Sequence, residues 1–180
     1  INRAAVEIAR EAFNSVGRSG FVLGDIGPFG GLMEPYGDIP EDRVVEAFSE
    51  QAAALASAGA DAIIVETQTS LEELGIGIKA AKEAGAPCVI GSMAYDVMHD
   101  GSDLKTMMGI SPEEAAEFMK DAGVDIVNDV YFEFGLDGQP VIEGDRVMHF
   151  RSPASAGGTL PAFGSDITFV RVGDEGFFDS

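Results

Sequence analysis

The sequence predicts an α/β protein in which short parallel strands alternate with crossover helices. Two segments show the pattern most clearly, Gly24 to Gly31 and Ala58 to Thr67. In both, an apolar run ends at an acid, Asp25 or Glu66, and a segment of helical periodicity follows. Parallel sheets collect such groups at one rim, where ligands of α/β folds bind. Asp25 and Glu66 are therefore the first candidate site residues, although an acid at this position can equally cap the next helix.

The periodicity of apolar residues, and the glycines and prolines that bound each segment, predict the first helices and strands. Apolar residues at helical spacing predict a helix from Asn2 to Val16. A short buried strand, Phe21 to Leu23, precedes the glycine-rich loop Gly24 to Gly31, which matches no phosphate-binding fingerprint and so gives little support to nucleotide binding. Acids in the first turn predict the start of a helix that runs from Pro40 to Gly59. The next strand is Ala62 to Val65.

The following region repeats this order. Ser70 and Glu73 form a predicted capping box for a helix over Leu71 to Glu83. The same Ser-x-x-Glu signature, with proline at the first helical position, begins a helix over Ser111 to Ala122. Two more apolar runs predict the strands Cys88 to Ile90 and Val124 to Val127.

Four such strand and helix pairs fit a parallel (β/α) barrel of TIM type or a doubly wound sheet. An eight-fold barrel takes about 250 residues, so the 180 residues here predict an incomplete barrel. We assign residues 1–128 to the barrel portion and 129–180 to an irregular, β-rich tail, which we interpret as a remnant of later barrel strands. Three strand-like runs in this tail have no helices between them: Tyr131–Phe134, Val147–Phe150 and Ile167–Val170. The stretch Ser152–Thr159, rich in Ser, Pro and Gly, is a linker or lid.

Composition excludes several classes of protein. With 46% hydrophobic residues the chain can form one domain with a core. A net charge of −20 opposes nucleic acid binding, and the acidic surface reflects either adaptation to salt or solubility. No apolar run approaches the roughly 20 residues of a membrane helix, and the first residues do not resemble a leader. The expectation is a cytoplasmic protein without a membrane partner.

Thiol, imidazole and thioether groups give weak signals. The single cysteine excludes a multi-cysteine metal site within these residues, and Cys88, at the start of a strand, is expected to be a small buried hydrophobe. His99 with Asp96 and Asp100 has spacing that fits a solvated loop better than a metal site. Four methionines suit a core better than a ligand pocket: Met93, Met98, Met107 and Met108.

Several short motifs between Asn2 and Val127 resemble the homocysteine S-methyltransferase family in order and spacing. They are Asn2 with Ala9–Ala12, Gly24–Gly30, Glu50–Ala52, Ala58–Asp61, Glu66–Thr67, Gly91–Met93 and Gly109–Pro112. The resemblance implies a TIM-type barrel that binds a thiol substrate at its carboxyl-end rim and activates it on zinc held by three cysteines. Glu66 matches the family's strand-end glutamate, so the resemblance implies a substrate-binding role for it, with Asp25 and Thr67 as further candidates. The family often has a small polar residue at the position of Asp25.

The sequence also departs from this family. The strand that should end in a Gly-x-Asn-Cys pattern reads Val124 to Val130 without cysteine, and the family's later double cysteine is absent. Its first strand has no counterpart before Ile1. We therefore expect a shortened, internally deleted or incompletely represented family member, whose zinc site cannot be assembled from these residues and whose catalytic residues stay unassigned.

The resemblance implies a methyltransferase of the methionine biosynthesis type, which moves a methyl group from a methylated donor or corrinoid (cobalamin) to a thiol. One alternative is a corrinoid-linked demethylating methyltransferase, and a corrinoid protein would then be the partner. Another is a non-catalytic, degenerate barrel that binds a small molecule or a protein. Unpaired strand edges would favour a homo-oligomer in that case.

Overall fold

The computed structural model describes residues 1–97, 104–132 and 149–151. Within these ranges lie four helices and six strands. The helices are α1 (Asn2–Ser15), α2 (Glu41–Ser57), α3 (Leu71–Glu83) and α4 (Pro112–Ala122). The strands are β1 (Leu23–Ile26), β2 (Ala62–Gln68), β3 (Val89–Val97), β4 (Leu104–Lys105), β5 (Ile126–Phe132) and β6 (His149–Arg151).

These strands form one sheet in the order β1-β2-β3-β5-β6, with β4 attached to β3. Strands β1, β2, β3 and β5 are parallel, whereas β4 and β6 are antiparallel to their neighbours. Each parallel strand is joined to the next by a helix, as a crossover connection requires. The predicted α/β class is thus confirmed, with an antiparallel strand at the β5 edge of the sheet.

The helices cover one face of this sheet. A Cβ added at Gly24 would contact Leu55 of α2, and one added at Gly77 of α3 would contact Val65 of β2. Most buried apolar side chains form the core between sheet and helices, including Ile26, Phe48, Val65, Leu74, Ile78, Met93 and Met119. Because side chains alternate along a strand, a second, smaller cluster lies on the opposite face: Ala62, Cys88, Ile90, Ile126 and the partly buried Ile64.

Two aspartates fasten the amino ends of the strands in the same way. Asp61 Oδ2 accepts a hydrogen bond from Val22 N at 2.7 Å, and Asp125 Oδ2 accepts one from Val89 N at 2.8 Å. Each aspartate is the last residue of an Ala-Gly-x-Asp sequence. The glycine of this sequence has a positive φ, as is usual for the residue just after a helix. We call these two contacts the aspartate staples.

An ion pair reinforces the first staple. The guanidinium of Arg10 lies 2.7 Å from Asp61 Oδ2 and also donates to the carbonyls of Gly20 and Gly59. The side chain therefore joins α1 to the amino ends of β1 and β2. Charged hydrogen bonds that satisfy main-chain groups contribute more than solvated surface pairs.

The helix predictions are confirmed to within two residues, but the first strand was misplaced. Pairing begins at Leu23 opposite Ala62 and continues to Ile26, because Val22 N is already bound to Asp61. Asp25 therefore lies within β1, whereas the sequence predicted a loop from Gly24 onward.

The other strands extend further than predicted. β2, β3 and β5 continue through polar residues to Gln68, Val97 and Phe132, since the main-chain pairing persists past the apolar runs. Tyr131 and Phe132 are thus the end of β5 and not part of a separate tail strand. The predicted run Val147–Phe150 overlaps β6, and β4 was not predicted.

Other tail predictions, the linker Ser152–Thr159 and the run Ile167–Val170, lie outside the described residues. None of the helices in the described ranges has the length and apolar character needed to cross a membrane.

Candidate functional site

Asp25 and Glu66 meet at the carboxyl ends of β1 and β2. Asp25 is paired with Ile64 in the parallel register. Glu66 lies two residues beyond Ile64 on the neighbouring strand and therefore on the same face of the sheet. Ile26 is fully buried toward the helices, so alternation puts Asp25 on the open face with Glu66. The Glu66 carboxyl group lies close enough to affect the acidity of Asp25. The structure therefore brings together the two acids that the sequence singled out.

This proximity changes the acidity of Asp25. Although the residue is exposed, its carboxyl group is partly desolvated at the sheet surface. Partial burial, then the negative charge of Glu66 and the hydrogen bond to it, raise the pKa of Asp25 from 3.8 to about 6. Two carboxyl groups in contact resist simultaneous ionisation. A bound cation would relieve this repulsion, so the pair is suited to an ammonium group.

We predict that Asp25→Asn stabilises the protein above pH 6 and has little effect below pH 4. The native pKa of about 6 exceeds the ordinary 3.8, so the native state binds the extra proton between these values and stability falls as pH rises through them. Asparagine removes that penalty. After allowance for solvent screening we expect a gain of about 1–2 kcal/mol at pH 8.

Urea denaturation at pH 8 and pH 4 measures this difference. Asp38→Asn, in an exposed loop position, is the matched control. An equal change in unfolding free energy at both pH values would show that the pKa of Asp25 is not raised in the native state.

Thr67 lies beside the pair in an unusual conformation. Its φ is 57°, in the left-handed region that β-branched residues rarely adopt. The β2–β3 register shifts at this point, since Val65 pairs with Gly91 but Gln68 pairs with Met93. The extra residue makes a bulge, a feature frequent next to binding sites. Gln68 is consequently buried toward the helices, where Nε2 donates to the main-chain oxygen of Glu66 at 3.3 Å.

Three residues of the helices contact β1 or the loop that follows it, and the sequence predicted none of these contacts. Gln51 of α2 donates from Nε2 to the main-chain oxygen of Asp25 at 2.9 Å. Glu73 accepts a hydrogen bond from Phe29 N at 2.5 Å, and Phe29 packs edge-on against Phe48 with ring centroids 6.4 Å apart. Gln51 belongs to a motif of the resemblance, but nothing in the sequence indicated its partner. Glu73 was predicted to close a capping box, and that prediction was wrong.

Cys88 lies at the other end of the sheet. It is 3% exposed, beside the start of β3, and burial together with the nearby Asp125 carboxylate raises its pKa to about 11. This confirms the prediction of a small buried hydrophobe. Among the described residues no group of three or more His, Cys, Asp or Glu is placed to hold a metal ion. Asp96 is exposed, while His99 and Asp100 lie outside those residues.

The methionines separate by environment. Met93 is fully buried in the core, as predicted, and Met107 is 66% exposed. Met108 instead contributes to a cavity of about 90 Å³ with Met33, Tyr36 and Ser70 at the rim beyond β1 and β2. Met98 is outside the described ranges.

A parallel sheet with helices on one face defines an α/β protein, and its strand-end acids lie at the rim where ligands of such folds bind. A sequence profile of the homocysteine S-methyltransferase family matches residues 1–130. The chain belongs to the homocysteine S-methyltransferase family.

Two solved structures resemble part of this chain. The apo homocysteine methyltransferase MmuM from Escherichia coli is 18% identical, with 74% of this chain and 47% of that chain covered and a TM-score of 0.49. The carboxyl transferase domain of Rhizobium etli pyruvate carboxylase with 3-bromopyruvate is 18% identical, with 71% and 19% covered and a TM-score of 0.46. The chain thus spans about half the length of the MmuM structure. A comparison with curated protein sequences finds no match.

Proposed function

We propose that this chain forms part of a (β/α) barrel methyltransferase of the homocysteine type, and that it supplies the site for the substrate's ammonium group. The observation that carries the proposal is the Asp25 and Glu66 pair on the open face of the sheet. Membership of the family supports homocysteine as the thiol. A homocysteine ammonium group can donate to both carboxylates, which favours the ionised form of each.

Thr67 adds a polar group next to Glu66 in this proposal. Its left-handed backbone interrupts the regular pairing of β2 shortly before the chain leaves the strand for α3. Strained residues of this kind cluster at binding sites, where surrounding structure holds them in place. Thr67 therefore belongs to the proposed substrate site with Asp25 and Glu66.

The family's zinc does not fit the residues present here. The resemblance implies three cysteine ligands, whereas the sequence contains one cysteine, and that residue is buried at the amino ends of the strands. Its raised pKa also disfavours the thiolate that metal binding needs. We therefore derive no step through zinc, and the proposal for these residues is limited to substrate binding and orientation.

Calorimetric titration of the chain with L-homocysteine under reducing conditions tests the proposal. 4-Mercaptobutanoate, which has the same thiol and carboxylate but lacks the ammonium group, is the matched control ligand. We expect homocysteine to bind about 100-fold more tightly, since a charge-assisted contact is worth about 1.5–3 kcal/mol. Equal affinity for the two ligands would rule out an ammonium site at this pair.

The single cysteine favours a second candidate, a binding function without catalysis. Methyl transfer separates the two candidates. Betaine and methylcobalamin serve as donors, and methionine is the product to be detected. Homocysteine binding without methionine formation by this chain would favour the binding function.

A further inference from the structure

Two helices of this chain begin with the same capping sequence but use its glutamate differently. Ser111 and Glu114 form a complete capping box, in which Glu114 Oε2 accepts from Ser111 N and Oγ at 2.8 and 2.9 Å. Ser70 likewise accepts from Glu73 N at 3.1 Å. The Glu73 carboxylate, however, bonds to Phe29 N, 44 residues away in sequence, and not to the cap. Glu73 therefore makes a tertiary contact in place of a local one.

The environments of the two glutamates differ accordingly. Hydrogen bonds from Ser111 hold the pKa of Glu114 below its ordinary value. Glu73 is only 8% exposed, and burial raises its pKa despite the opposing hydrogen bond from Phe29. Burying a carboxyl group costs free energy that a helix cap does not require, because an exposed side chain can cap equally well. The buried position indicates a role at the Phe29 end of the contact.

Phe29 lies in the loop that follows β1, four residues after Asp25. Its main chain is bound to α3 through Glu73, while its ring packs against Phe48 of α2. One residue thus attaches the loop to both helices that flank β2. Because only three residues separate Ile26 from Gly30, whose φ of 98° sets the following turn, this attachment fixes how the chain leaves the strand end.

We propose that Glu73 is a positioning residue that holds the loop Gly27–Gly31 through Phe29 N and thereby fixes the rim beside the Asp25 and Glu66 pair. The loop-holding part stands on the geometry alone, and its effect on ligand binding rests on the proposed function. Glu73 does not touch the substrate in this account. It acts through the loop that borders the substrate site.

The test compares Glu73→Met with Glu73→Gln. The two side chains are similar in length and both are uncharged, but only glutamine retains an oxygen acceptor for Phe29 N. Glu72→Met and Glu72→Gln, on the exposed side of the same turn, are the matched controls. Amide hydrogen exchange at Phe29, measured by NMR, reports the loop contact without any ligand.

We expect exchange at Phe29 to accelerate by about 10-fold to 100-fold in Glu73→Met, because the variant leaves Phe29 N without its acceptor. It should stay within about threefold of wild type in Glu73→Gln and in both Glu72 variants. L-homocysteine affinity should fall about tenfold in Glu73→Met alone. Equal exchange in the methionine and glutamine variants would overturn the proposal, as would accelerated exchange with unchanged homocysteine affinity.

Two further results keep the test decisive. If Glu73→Met does not fold, a through-hydrogen-bond NMR correlation between Phe29 N and the Glu73 carboxyl carbon in the wild type supports the loop contact, and a rapidly exchanging Phe29 amide without that correlation overturns it. If no variant, wild type included, binds homocysteine, the proposed function fails and the exchange data alone decide whether Glu73 holds the loop.

Discussion

Replacement of Glu66 with glutamine is expected to weaken L-homocysteine binding about 100-fold and to leave binding of 4-mercaptobutanoate unchanged. Glu66 carries the charge that a substrate ammonium group would neutralise, and glutamine keeps the shape and one acceptor but removes that charge. A charge-assisted hydrogen bond at a partly buried site is worth about 1.5–3 kcal/mol, or roughly tenfold to 100-fold in affinity. Isothermal titration with the two ligands measures the difference directly.

Two controls sharpen this experiment. Glu117→Gln, on the exposed side of α4, makes the same change in net charge away from the rim and should not alter affinity. Asp25→Ser introduces the kind of small polar residue common in the family at that position, and it should retain tighter binding of homocysteine than of the desamino ligand. If Glu117→Gln and Glu66→Gln weaken homocysteine binding equally, the effect is one of overall charge and Glu66 is not the ammonium site.

The largest effect on stability is expected for Met119→Ala, at about 3 kcal/mol. Met119 is fully buried between α4 and the sheet, and a Cβ built on Gly91 of β3 would lie 2.7 Å from its sulfur. Loss of the side chain leaves a cavity directly over Gly91, and buried Met to Ala changes cost about 2–5 kcal/mol. Urea denaturation of Met119→Ala, of Gly91→Ala and of the double variant gives the coupling free energy between the two positions.

Gly91→Ala should have opposite effects in the two backgrounds. In the wild type the added methyl group overpacks against Met119 and costs about 1–2 kcal/mol. In Met119→Ala the same methyl group fills part of the cavity and recovers about 1 kcal/mol. Met107→Ala, at a residue that is 66% exposed, should be nearly neutral. Additive effects of the two core substitutions would contradict the packing of α4 on β3 described above.

Helices were more predictable from the sequence than strands. The starts and ends of α2, α3 and α4 follow from local signals, such as acids in the first turn, the Ser70 and Ser111 caps and Gly123 in the left-handed conformation. Strand ends depend on pairing with residues far away in sequence. Thus β1 begins at Leu23 because Asp61 occupies Val22 N, which no local pattern around residue 22 indicates.

The candidate site shows the same limit. Asp25 and Glu66 were recognisable because strand-end acids of a parallel sheet share one rim. Their proximity and the raised pKa of Asp25 depend on the register between β1 and β2. Glu73 carries a valid capping signature, and only the buried approach of Phe29 diverts its carboxylate to another partner. Tertiary contacts override local preference where a buried main-chain donor needs an acceptor.

The aspartate staples at Asp61 and Asp125 lie at the amino ends of the strands, whereas the candidate ligand groups lie at the carboxyl ends. Substitutions at the carboxyl ends of the strands therefore need not disturb the contacts at the amino ends. A substitution at the rim, such as one at Asp25, can alter the candidate ligand site while the connections that order the sheet persist.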